Sequence, residues 1–312
     1  MERIKLDHID LGLNLAYSYI LPLFNVNVLD DGIHILKAYG VCRGLECFVN
    51  NVGTLCYIPN TCIEEHYKCI LGLDKAFLVD ELIRYFDLTN LDAIFHRFTP
   101  IYSPGDSLFI AITIYLSRNT DYYVNTIKWV RAFIEKECFF NKMNCENLFN
   151  SYQFRELMSN LDVIRVVMDS ERDFVKQSVE LMSIRGFGVK SAMAYILHAG
   201  GLTKYAPIDR HYLSVLEKTG IDASQPVKKQ CIENMLLCSS CRYRRKCLYG
   251  FIQEKLGVFN GLIQSIIYVY GRVSKSKYRL SMLEQILLSK LPLNEFVKGV
   301  DKFIDILREV LS

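Results

Sequence analysis

Residues 184–190 of this 312-residue chain read Ile184-Arg185-Gly186-Phe187-Gly188-Val189-Lys190, a glycine-containing turn between two amphipathic segments. Apolar residues recur at three- and four-residue spacing on both sides, which predicts helices over 171–183 and 190–199. Glycine suits positions where the backbone takes a positive φ, and a turn that opens a helix points free N–H groups outward. The stretch therefore predicts a helical hairpin whose turn suits a phosphate, with an ordinary helix–turn–helix as the alternative.

An acidic side chain stands nineteen residues after Lys190, at the start of another predicted helix. Ala206-Pro207-Ile208 is extended because of its proline, and Asp209 precedes the helical run 210–218. An isolated Asp in this place would be an N-cap, because Asp caps helices well. Here the hairpin folds Lys190 back, and an amine and a carboxylate in one cleft can serve as nucleophile and as stabiliser of positive charge on a sugar.

These residues resemble a known family. Gly186-Phe187-Gly188-Val189-Lys190, followed by Pro207-Ile208-Asp209-Arg210-His211, is similar to the signature of the helix–hairpin–helix DNA glycosylase superfamily. Upstream, Leu116-Ser117-Arg118-Asn119 closes a helix where that superfamily places an Asn or Gln. Downstream, Phe259-Asn260-Gly261-Leu262-Ile263-Gln264-Ser265-Ile266-Ile267-Tyr268 resembles the late helix of 8-oxoguanine DNA glycosylases.

The resemblance implies a covalent mechanism. Lys190 would attack C1′ of the damaged nucleotide and form a Schiff base, which makes the enzyme both a glycosylase and a strand-cleaving lyase. Asp209 would stabilise the oxocarbenium-like charge and help to manage protons at Lys190. Gly186 and Gly188 would offer backbone N–H groups to a DNA phosphate.

The resemblance also implies how the base is handled. Asn119 would fill the space left by the extruded base, Gln264 would read the edge of that base, and Tyr268 would stack on its face. His211 belongs to the same DNA- and substrate-binding set. Extrusion is required because the glycosidic carbon is inaccessible inside the stacked duplex. For Gln264 and Tyr268 the alternative is plain helix packing.

Three positions depart from the 8-oxoguanine branch of the family. Arg185 stands where the hairpin usually has a proline, and Ala194 stands where a cysteine often contacts the base. Val124 stands where that branch has an arginine to the opposing cytosine. The resemblance therefore implies no rule for the base opposite the lesion.

Four cysteines form a separate motif. Cys231, Cys238, Cys241 and Cys247 have the spacing C-x6-C-x2-C-x5-C, and four thiols so close together are hard to explain as core hydrophobes. This spacing resembles the iron–sulfur loop of endonuclease III-like glycosylases and implies a [4Fe–4S] cluster. Structural zinc is the alternative, because four cysteines also satisfy tetrahedral zinc.

A basic segment lies between the third and fourth of these cysteines. It contains Arg242, Arg244, Arg245 and Lys246, and residues 231–250 hold four basic residues against one acidic residue, a net of +3. A basic tip that a metal holds rigid would dock on DNA phosphates at little entropic cost. Solvated charge beside an anionic cluster is the alternative.

The N-terminus and the cysteine usage predict an intracellular protein, in the cytoplasm, nucleoid or nucleus. The chain begins MERIKLDHID, without a basic and then apolar leader. The uncharged run 11–29 contains Asn, Ser and Pro, so we expect a buried strand and turn there and no membrane contact. Reduced thiols are expected. The seven cysteines outside the four-cysteine motif are interpreted as scattered buried thiols: Cys42, Cys47, Cys56, Cys62, Cys69, Cys138 and Cys145.

Charge and periodicity divide the chain. Residues 1–95 hold 7 Lys and Arg against 13 Asp and Glu, a net of −6, whereas residues 96–312 hold 30 against 21, a net of +9. A basic surface indicates a polyanionic partner, and a solvated charged face is the alternative.

The predicted fold class is mostly α with a small N-terminal antiparallel β domain, followed by a helix–hairpin–helix glycosylase body. Short β-rich runs surround Asp30-Asp31-Gly32, and helical spacing dominates after residue 61. Further helices are predicted over 107–118, 122–138, 251–271 and 294–311. The predicted domains are a β-containing domain at 1–95, the body at 96–275 with its metal loop at 231–247, and a C-terminal helical extension at 276–312.

The sequence thus predicts a monomeric base-excision repair enzyme that acts on damaged double-stranded DNA. Its activity would be that of a glycosylase with AP lyase activity, with 8-oxoguanine as the favoured base. One alternative is a glycosylase for oxidised pyrimidines, which an endonuclease III-like cluster would suit. Another is a metal-stapled module that binds DNA without cutting it. The pairing of Lys190 with Asp209 argues against a non-catalytic module, because phosphate binding needs no such pair.

Overall fold

The computed structural model describes residues 2–50, 52–145, 147–221, 223–274 and 280–311. These residues are mostly helical and contain a five-stranded antiparallel sheet near the N-terminus, in the order β1-β5-β4-β3-β2. The predicted fold class, a helical protein with a small N-terminal antiparallel sheet, is confirmed. The strands are β1 (Glu2–Leu6), β2 (Phe24–Leu29), β3 (Gly32–Lys37), β4 (Glu46–Asn50) and β5 (Gly53–Ile58).

The sheet follows from alternation in its central strands. In β3, β4 and β5 every second residue is buried, which is the pattern of a sheet with one face on the core. Asp30 and Asp31 form the predicted turn between β2 and β3. Strand β1 was not predicted, because its sequence ERIKL carries three charges in five residues. It is the edge strand beside β5, where charged side chains remain solvated.

The helices follow one another along the rest of the chain. They are α1 (Leu11–Ala16), α2 (Glu64–Leu71), α3 (Phe77–Tyr85), α4 (Asp92–Phe95), α5 (Ser107–Leu116), α6 (Ile127–Glu135), α7 (Tyr152–Ser170), α8 (Phe174–Ser183), α9 (Val189–Gly200), α10 (Arg210–Lys218), α11 (Lys228–Glu233), α12 (Leu248–Leu256), α13 (Asn260–Val273), α14 (Met282–Leu287) and α15 (Leu293–Leu311).

Two predicted segments differ from the structure. The run 11–29 is mostly buried as far as Phe24, whereas Val28 and Leu29 are exposed. Its first part is helix α1 rather than strand, because Asp10 caps the helix by accepting from the Leu13 N–H. Asn14 is accommodated in the core because its amide donates to the carbonyls of Asp10 and Arg97 at 2.9 Å. The predicted helix 251–271 is divided into α12 and α13 at Gly257, whose φ of 50° ends α12.

The predicted hairpin is confirmed as α8, a short turn and α9. Asp173 caps α8 by accepting from the Val175 and Lys176 N–H groups at 2.9 Å. In the turn Gly186 has φ +88°, and Gly188 is the N-cap of α9. The long helix α7, which was not predicted, packs on both α5 and α8 and supports this hairpin from behind.

Six of the seven cysteines that were interpreted as scattered thiols form disulfides, so that interpretation is wrong. The pairs are Cys42–Cys62, Cys47–Cys56 and Cys138–Cys145, with Cα separations of 4.5, 4.1 and 5.6 Å. The pair Cys47–Cys56 arises because these residues face each other across β4 and β5. Cys69 and all four cysteines of the motif at 231–247 remain free thiols.

A buried ion pair joins the sheet to the helical body. Lys37, at the end of β3, donates to Asp106 Oδ2 at 2.8 Å, and both side chains are fully buried. Asp106, directly before α5, also accepts from the Ser103 hydroxyl at 2.6 Å and the Val41 N–H at 2.8 Å. Gly40 makes this possible, because a Cβ there would lie 1.9 Å from Asp106 Oδ1. Burial lowers the pKa of the Lys37 amine, and Asp106 opposes that shift.

The C-terminal helices pack onto the rest of the chain. Phe296 of α15 stacks on Phe98 at 5.7 Å, and Phe303 meets Phe95 edge-on at 5.4 Å. The buried apolar cluster therefore runs through all three predicted domains, whose boundaries stay predictions. Residues 276–279 of the predicted extension lie outside the described residues. Nowhere in the described parts of the chain is a helix long and apolar enough to span a bilayer.

We expect the substitution Lys37→Met to lower the free energy of unfolding by about 3–5 kcal/mol, because it leaves Asp106 buried without its counter-charge. Lys142→Met is the control, since Lys142 forms an exposed ion pair with Asp162 and should contribute at most about 1 kcal/mol. The double substitution Lys37→Met with Asp106→Leu should recover part of the loss. Urea denaturation followed by circular dichroism measures the free energy of unfolding of all three variants. Equally small decreases for Lys37→Met and Lys142→Met would contradict a stabilising role for the buried ion pair.

Candidate active site

Two adjoining cavities open beside the turn of the hairpin. The first, about 490 Å³, is lined by the hairpin glycines and is called here the hairpin cavity. The second, about 370 Å³, is lined by Asp209 and is called the aspartate cavity. The residues that line both cavities are Tyr19, Ser117, Asn119 and Lys190. The structure thus brings together residues that the sequence places far apart.

Lys190 is the second residue of α9, and its side chain is exposed at the junction of the two cavities. Ala194 and His198 follow at four-residue intervals and so lie on the same face of α9. Ala194 lines the hairpin cavity, and His198 lines the aspartate cavity. Burial lowers the pKa of His198 to about 3, so this imidazole is neutral at physiological pH.

Asp209 is both a helix cap and a wall of the cavity that contains Lys190. Its Oδ1 accepts from the backbone N–H groups of His211 at 2.7 Å and Tyr212 at 2.9 Å, at the start of α10. Its Oδ2 accepts from the side-chain amide of Gln264 at 3.0 Å. The capping alternative is therefore correct, and it places the carboxylate in the cavity rather than excluding it.

One face of α13 lines the aspartate cavity. Gln264, Tyr268 and Arg272 lie four residues apart on that face, and all three reach the cavity. The ring of Tyr268 meets the buried imidazole of His211 edge-on at 5.6 Å. Burial raises the pKa of the Tyr268 hydroxyl, so the phenol stays protonated. The roles in base recognition that the resemblance implies for Gln264, Tyr268 and His211 stay predictions.

Sequence reasoning missed an ion pair beside this cavity. Arg272 donates from Nε and Nη2 to the two carboxylate oxygens of Glu284 at 2.6 and 2.7 Å, and both residues are buried. Glu284 also belongs to the capping box of α14, where Ser281 is the N-cap. No sequence signal connects Arg272 to Glu284, because their pairing depends on how the C-terminal helices fold back.

Sequence reasoning also missed an aromatic wall. Tyr19, Tyr122 and Tyr123 line the aspartate cavity, with ring centroids 5.7 Å apart for the first pair and 5.2 Å for the second. Tyr122 donates to the Ser18 carbonyl at 2.8 Å, and Tyr123 donates to the Ala16 carbonyl. Burial raises the pKa of both Tyr122 and Tyr123, which keeps them neutral. The available signal was the Tyr-Tyr pair three residues after Asn119.

The turn glycines differ in what surrounds them. A Cβ on Gly186 would lie 1.6 Å from Nη1 of Arg118, whose guanidinium also bridges to Glu156 at 2.9 Å. At Gly188 a Cβ would meet nothing within 4 Å. Arg185, at the family's proline position, is exposed and lies 3.7 Å from Glu156. The open side of this turn is therefore at Gly188, facing the hairpin cavity.

Asn119 lies at the rim that the two cavities share. It has φ +50° and an exposed side chain, three residues after the end of α5 at Leu116. Its amide donates to the hydroxyl of Tyr152 at 3.3 Å. A left-handed residue at this place is what turns the chain away from α5 and toward the aromatic wall.

The four cysteines of the motif lie close together, on α11 and on the loop that leads to α12. Cys231 lies in α11, and Cys247 is the N-cap residue of α12. Cys238 and Cys241 lie in the turn between these helices. Burial and neighbouring thiols raise the pKa of Cys231 to about 11 and of Cys238 to about 12. In the described residues no group of three or more His, Cys, Asp or Glu is placed to hold a metal ion. The donor set of four free, half-buried thiols nevertheless fits a thiophilic centre.

Only some of the basic side chains at the tip of this loop face solvent. Arg244 donates to the Ser239 carbonyl at 2.8 Å and lies 3.4 Å from Glu254, so it stabilises the loop itself. Arg242 rests on the ring of Tyr243 at 4.6 Å, and Arg242 and Arg245 have exposed side chains. Arg242 and Arg245 are therefore the arginines of this tip that face solvent.

No family model and no curated protein matches this chain. Two solved structures are similar to it at low identity. One is the 8-oxoguanine glycosylase/lyase of Clostridium acetobutylicum in complex with dsDNA containing cytosine opposite 8-oxoG, with TM-score 0.48, 13% identity, and coverage of 81% of this chain and 99% of that chain. The other is MBOgg1 in complex with a low-affinity DNA ligand, with TM-score 0.48, 12% identity, and coverage of 80% and 98%. Because both identities are low and both TM-scores lie below 0.5, this likeness assigns no function to the chain.

We expect Gly186→Ala to destabilise the free protein by about 1–3 kcal/mol, because alanine is strained at φ +88° and its Cβ would displace Arg118. Gly188→Ala is the matched control in the same turn, with φ −105° and open space, and should cost less than about 1 kcal/mol. Urea denaturation of both variants tests this order. The reverse order would mean that the turn has a different conformation.

Proposed function

We propose that this protein is a base-excision DNA glycosylase with AP lyase activity that removes an oxidised base, with 8-oxoguanine favoured. One observation carries the proposal. Lys190, at the start of the second hairpin helix, and Asp209, at the cap of the next helix, line the same cavity. An amine and a carboxylate in one cavity, with tyrosines on its wall, are the groups needed to attack a sugar carbon and stabilise its positive charge.

The first step is extrusion of the damaged nucleotide. Its base enters the aspartate cavity, where the rings of Tyr19, Tyr122 and Tyr268 offer apolar surfaces to a flat aromatic base. Asn119, at the rim shared with the hairpin cavity, occupies the space that the base leaves in the duplex. Extrusion exposes C1′ at the junction of the cavities, where Lys190 lies.

The second step exchanges one bond for another at C1′. As the glycosidic C–N bond breaks, the base leaves with the electron pair and takes up a proton, and the lone pair of the Lys190 amine forms a bond to C1′. Asp209, whose charge is fixed by the helix cap, stabilises the positive charge that develops on the sugar. Asp209 then takes a proton from the Lys190 nitrogen, and the C1′–O4′ bond breaks with O4′ taking up a proton, which gives a Schiff base. The Schiff base makes the C2′ proton acidic, and loss of that proton expels the 3′ phosphate and cuts the strand.

The hairpin and the basic surface hold the DNA backbone. The turn at Gly188 is open toward the hairpin cavity, so its N–H groups can reach a phosphate, and Gly186 shapes that turn. Arg185, Arg242 and Arg245 add exposed positive charge, in agreement with the net of +9 over residues 96–312. The partner is damaged double-stranded DNA, and the enzyme acts as an intracellular monomer.

The four free thiols support a structural metal centre in this proposal. Cys231, Cys238, Cys241 and Cys247 would hold a [4Fe–4S] cluster, with zinc as the alternative. Such a centre would supply rigidity to the loop that presents Arg242 and Arg245. The chemistry at Lys190 and Asp209 uses no metal in this scheme.

Borohydride trapping tests the catalytic assignment. Lys190→Gln should abolish covalent trapping and strand cleavage on a duplex containing 8-oxoguanine, while DNA binding is largely retained. Asp209→Asn should lower the single-turnover excision rate by at least about 100-fold, because charge stabilisation in a closed site is lost. Lys176→Gln is the control, since that lysine is exposed on α8 and lines neither cavity.

Trapping that survives in the Lys190 variant would contradict the assignment of the nucleophile. A wild-type protein that binds DNA but neither excises nor traps would favour the non-catalytic module. A wild-type preference for thymine glycol over 8-oxoguanine would replace the purine with an oxidised pyrimidine.

Metal analysis tests the cysteine centre separately. Protein purified without oxygen should be brown, with broad absorption near 400 nm and about four iron atoms per chain. Cys241→Ser should lose the metal and destabilise the loop, whereas Cys69→Ser, at the free thiol outside the motif, should retain it. A colourless protein with one zinc per chain would change the metal and leave the ligands in place.

A further inference from the structure

A side-chain hydrogen bond links the late helix α13 to the carboxylate at the cap of α10. Gln264 donates from Nε2 to Asp209 Oδ2 at 3.0 Å, across 55 residues of sequence. Gln264 is 6% exposed, and both residues line the aspartate cavity. The amide nitrogen of Gln264, the donor with which it could address a base, is therefore directed at Asp209 in this structure.

The hydrogen bonds on Asp209 have different effects. The two backbone N–H groups at His211 and Tyr212 hold Oδ1, as in any capped helix. A carboxylate held by one oxygen can still rotate, so its second oxygen has no fixed direction. The bond from Gln264 removes that freedom, and it sets the direction in which Oδ2 faces the cavity.

Gln264 can hold Oδ2 of Asp209 in place because α13 contacts α10 near both of its own ends. Near the start of α13, Asn260 accepts from the Tyr212 hydroxyl at 2.9 Å. Near its end, a Cβ on Gly271 would lie 2.3 Å from the Nδ1 of His211, so the helices are in close contact there. Gln264 lies between these two contacts. Its amide is thus placed by two anchored helices and needs no ligand to position it.

We propose that Gln264 is a positioning residue that acts through Asp209 and serves both base removal and strand cleavage. This inference rests on the proposed function, because it needs Asp209 to take part in both steps. It assigns to Gln264 the orientation of the carboxylate rather than the reading of the base edge. An abasic substrate distinguishes the two roles, because it has no base to read.

A double-mutant cycle measures whether Gln264 works through Asp209. The variants are Gln264→Leu, Asp209→Asn and the combination, assayed in single turnover on an 8-oxoguanine duplex and on a preformed abasic duplex. Gln264→Leu should lower the maximal rate about 10- to 100-fold on both substrates, the effect of losing one hydrogen bond to a charged group. The DNA concentration that gives half-maximal rate should be unchanged. In the Asp209→Asn background, Gln264→Leu should change either rate less than about twofold.

Gln177→Leu controls for the loss of a buried amide. Gln177 is 4% exposed on α8, and it accepts from the Tyr195 hydroxyl at 2.6 Å, away from both cavities. Both Gln177→Leu and Gln264→Leu should lower thermal stability, but Gln177→Leu should leave the single-turnover rates on both duplexes unchanged. A Gln177→Leu protein with the same rate losses would make the Gln264 effect a general consequence of instability, which would overturn the inference.

Three further outcomes would each overturn the assignment of Gln264 as a positioning residue. A rate loss confined to the 8-oxoguanine duplex would mean that Gln264 reads the base, and the inference would be wrong. An undiminished effect of Gln264→Leu in the Asp209→Asn background would show that it does not act through that carboxylate. A wild-type protein inactive on both duplexes would overturn the proposed function, and the inference with it.

Discussion

The ion pair between Lys37 and Asp106 is the constraint on which the position of the site depends. It is fully buried, and it fixes the end of β3 against the first turn of α5. Helix α5 packs on α6, α7 and α9, and it ends at Leu116, three residues before Asn119 at the rim of the cavities. The sheet takes no part in the proposed chemistry, but through this pair it holds the helix that leads into the site.

The proposed catalysis and the stability of α10 depend on one carboxylate. Asp209 satisfies two N–H groups that α10 would otherwise leave without partners, and it lines the aspartate cavity together with Lys190. Substitution of Asp209 would therefore affect both the stability of α10 and the proposed chemistry. Arg272 also has two contacts of this kind, because it lines the cavity and its ion pair with Glu284 joins α13 to α14.

The hairpin, Lys190 and the cap at Asp209 could be predicted because each is encoded locally, by apolar spacing, by glycines in a turn, or by an acidic residue before a helix. The aromatic wall could not, because Tyr19 meets Tyr122 across about a hundred residues of chain. The disulfides were missed for a related reason. Cys47 and Cys56 are partners through the register of β4 and β5, which cysteine spacing alone does not reveal.

The division of the eleven cysteines has a consequence for how the chain matures. The disulfides close short loops, with sequence separations of 20, 9 and 7, whereas the four-cysteine motif begins 86 residues after Cys145. Loop closure alone would not select these pairs, because Cys42 lies only 5 residues from Cys47 and Cys56 only 6 from Cys62. Sorting of the thiols therefore follows the fold: the register of β4 and β5 brings Cys47 to Cys56, and the four thiols of the motif remain unoxidised.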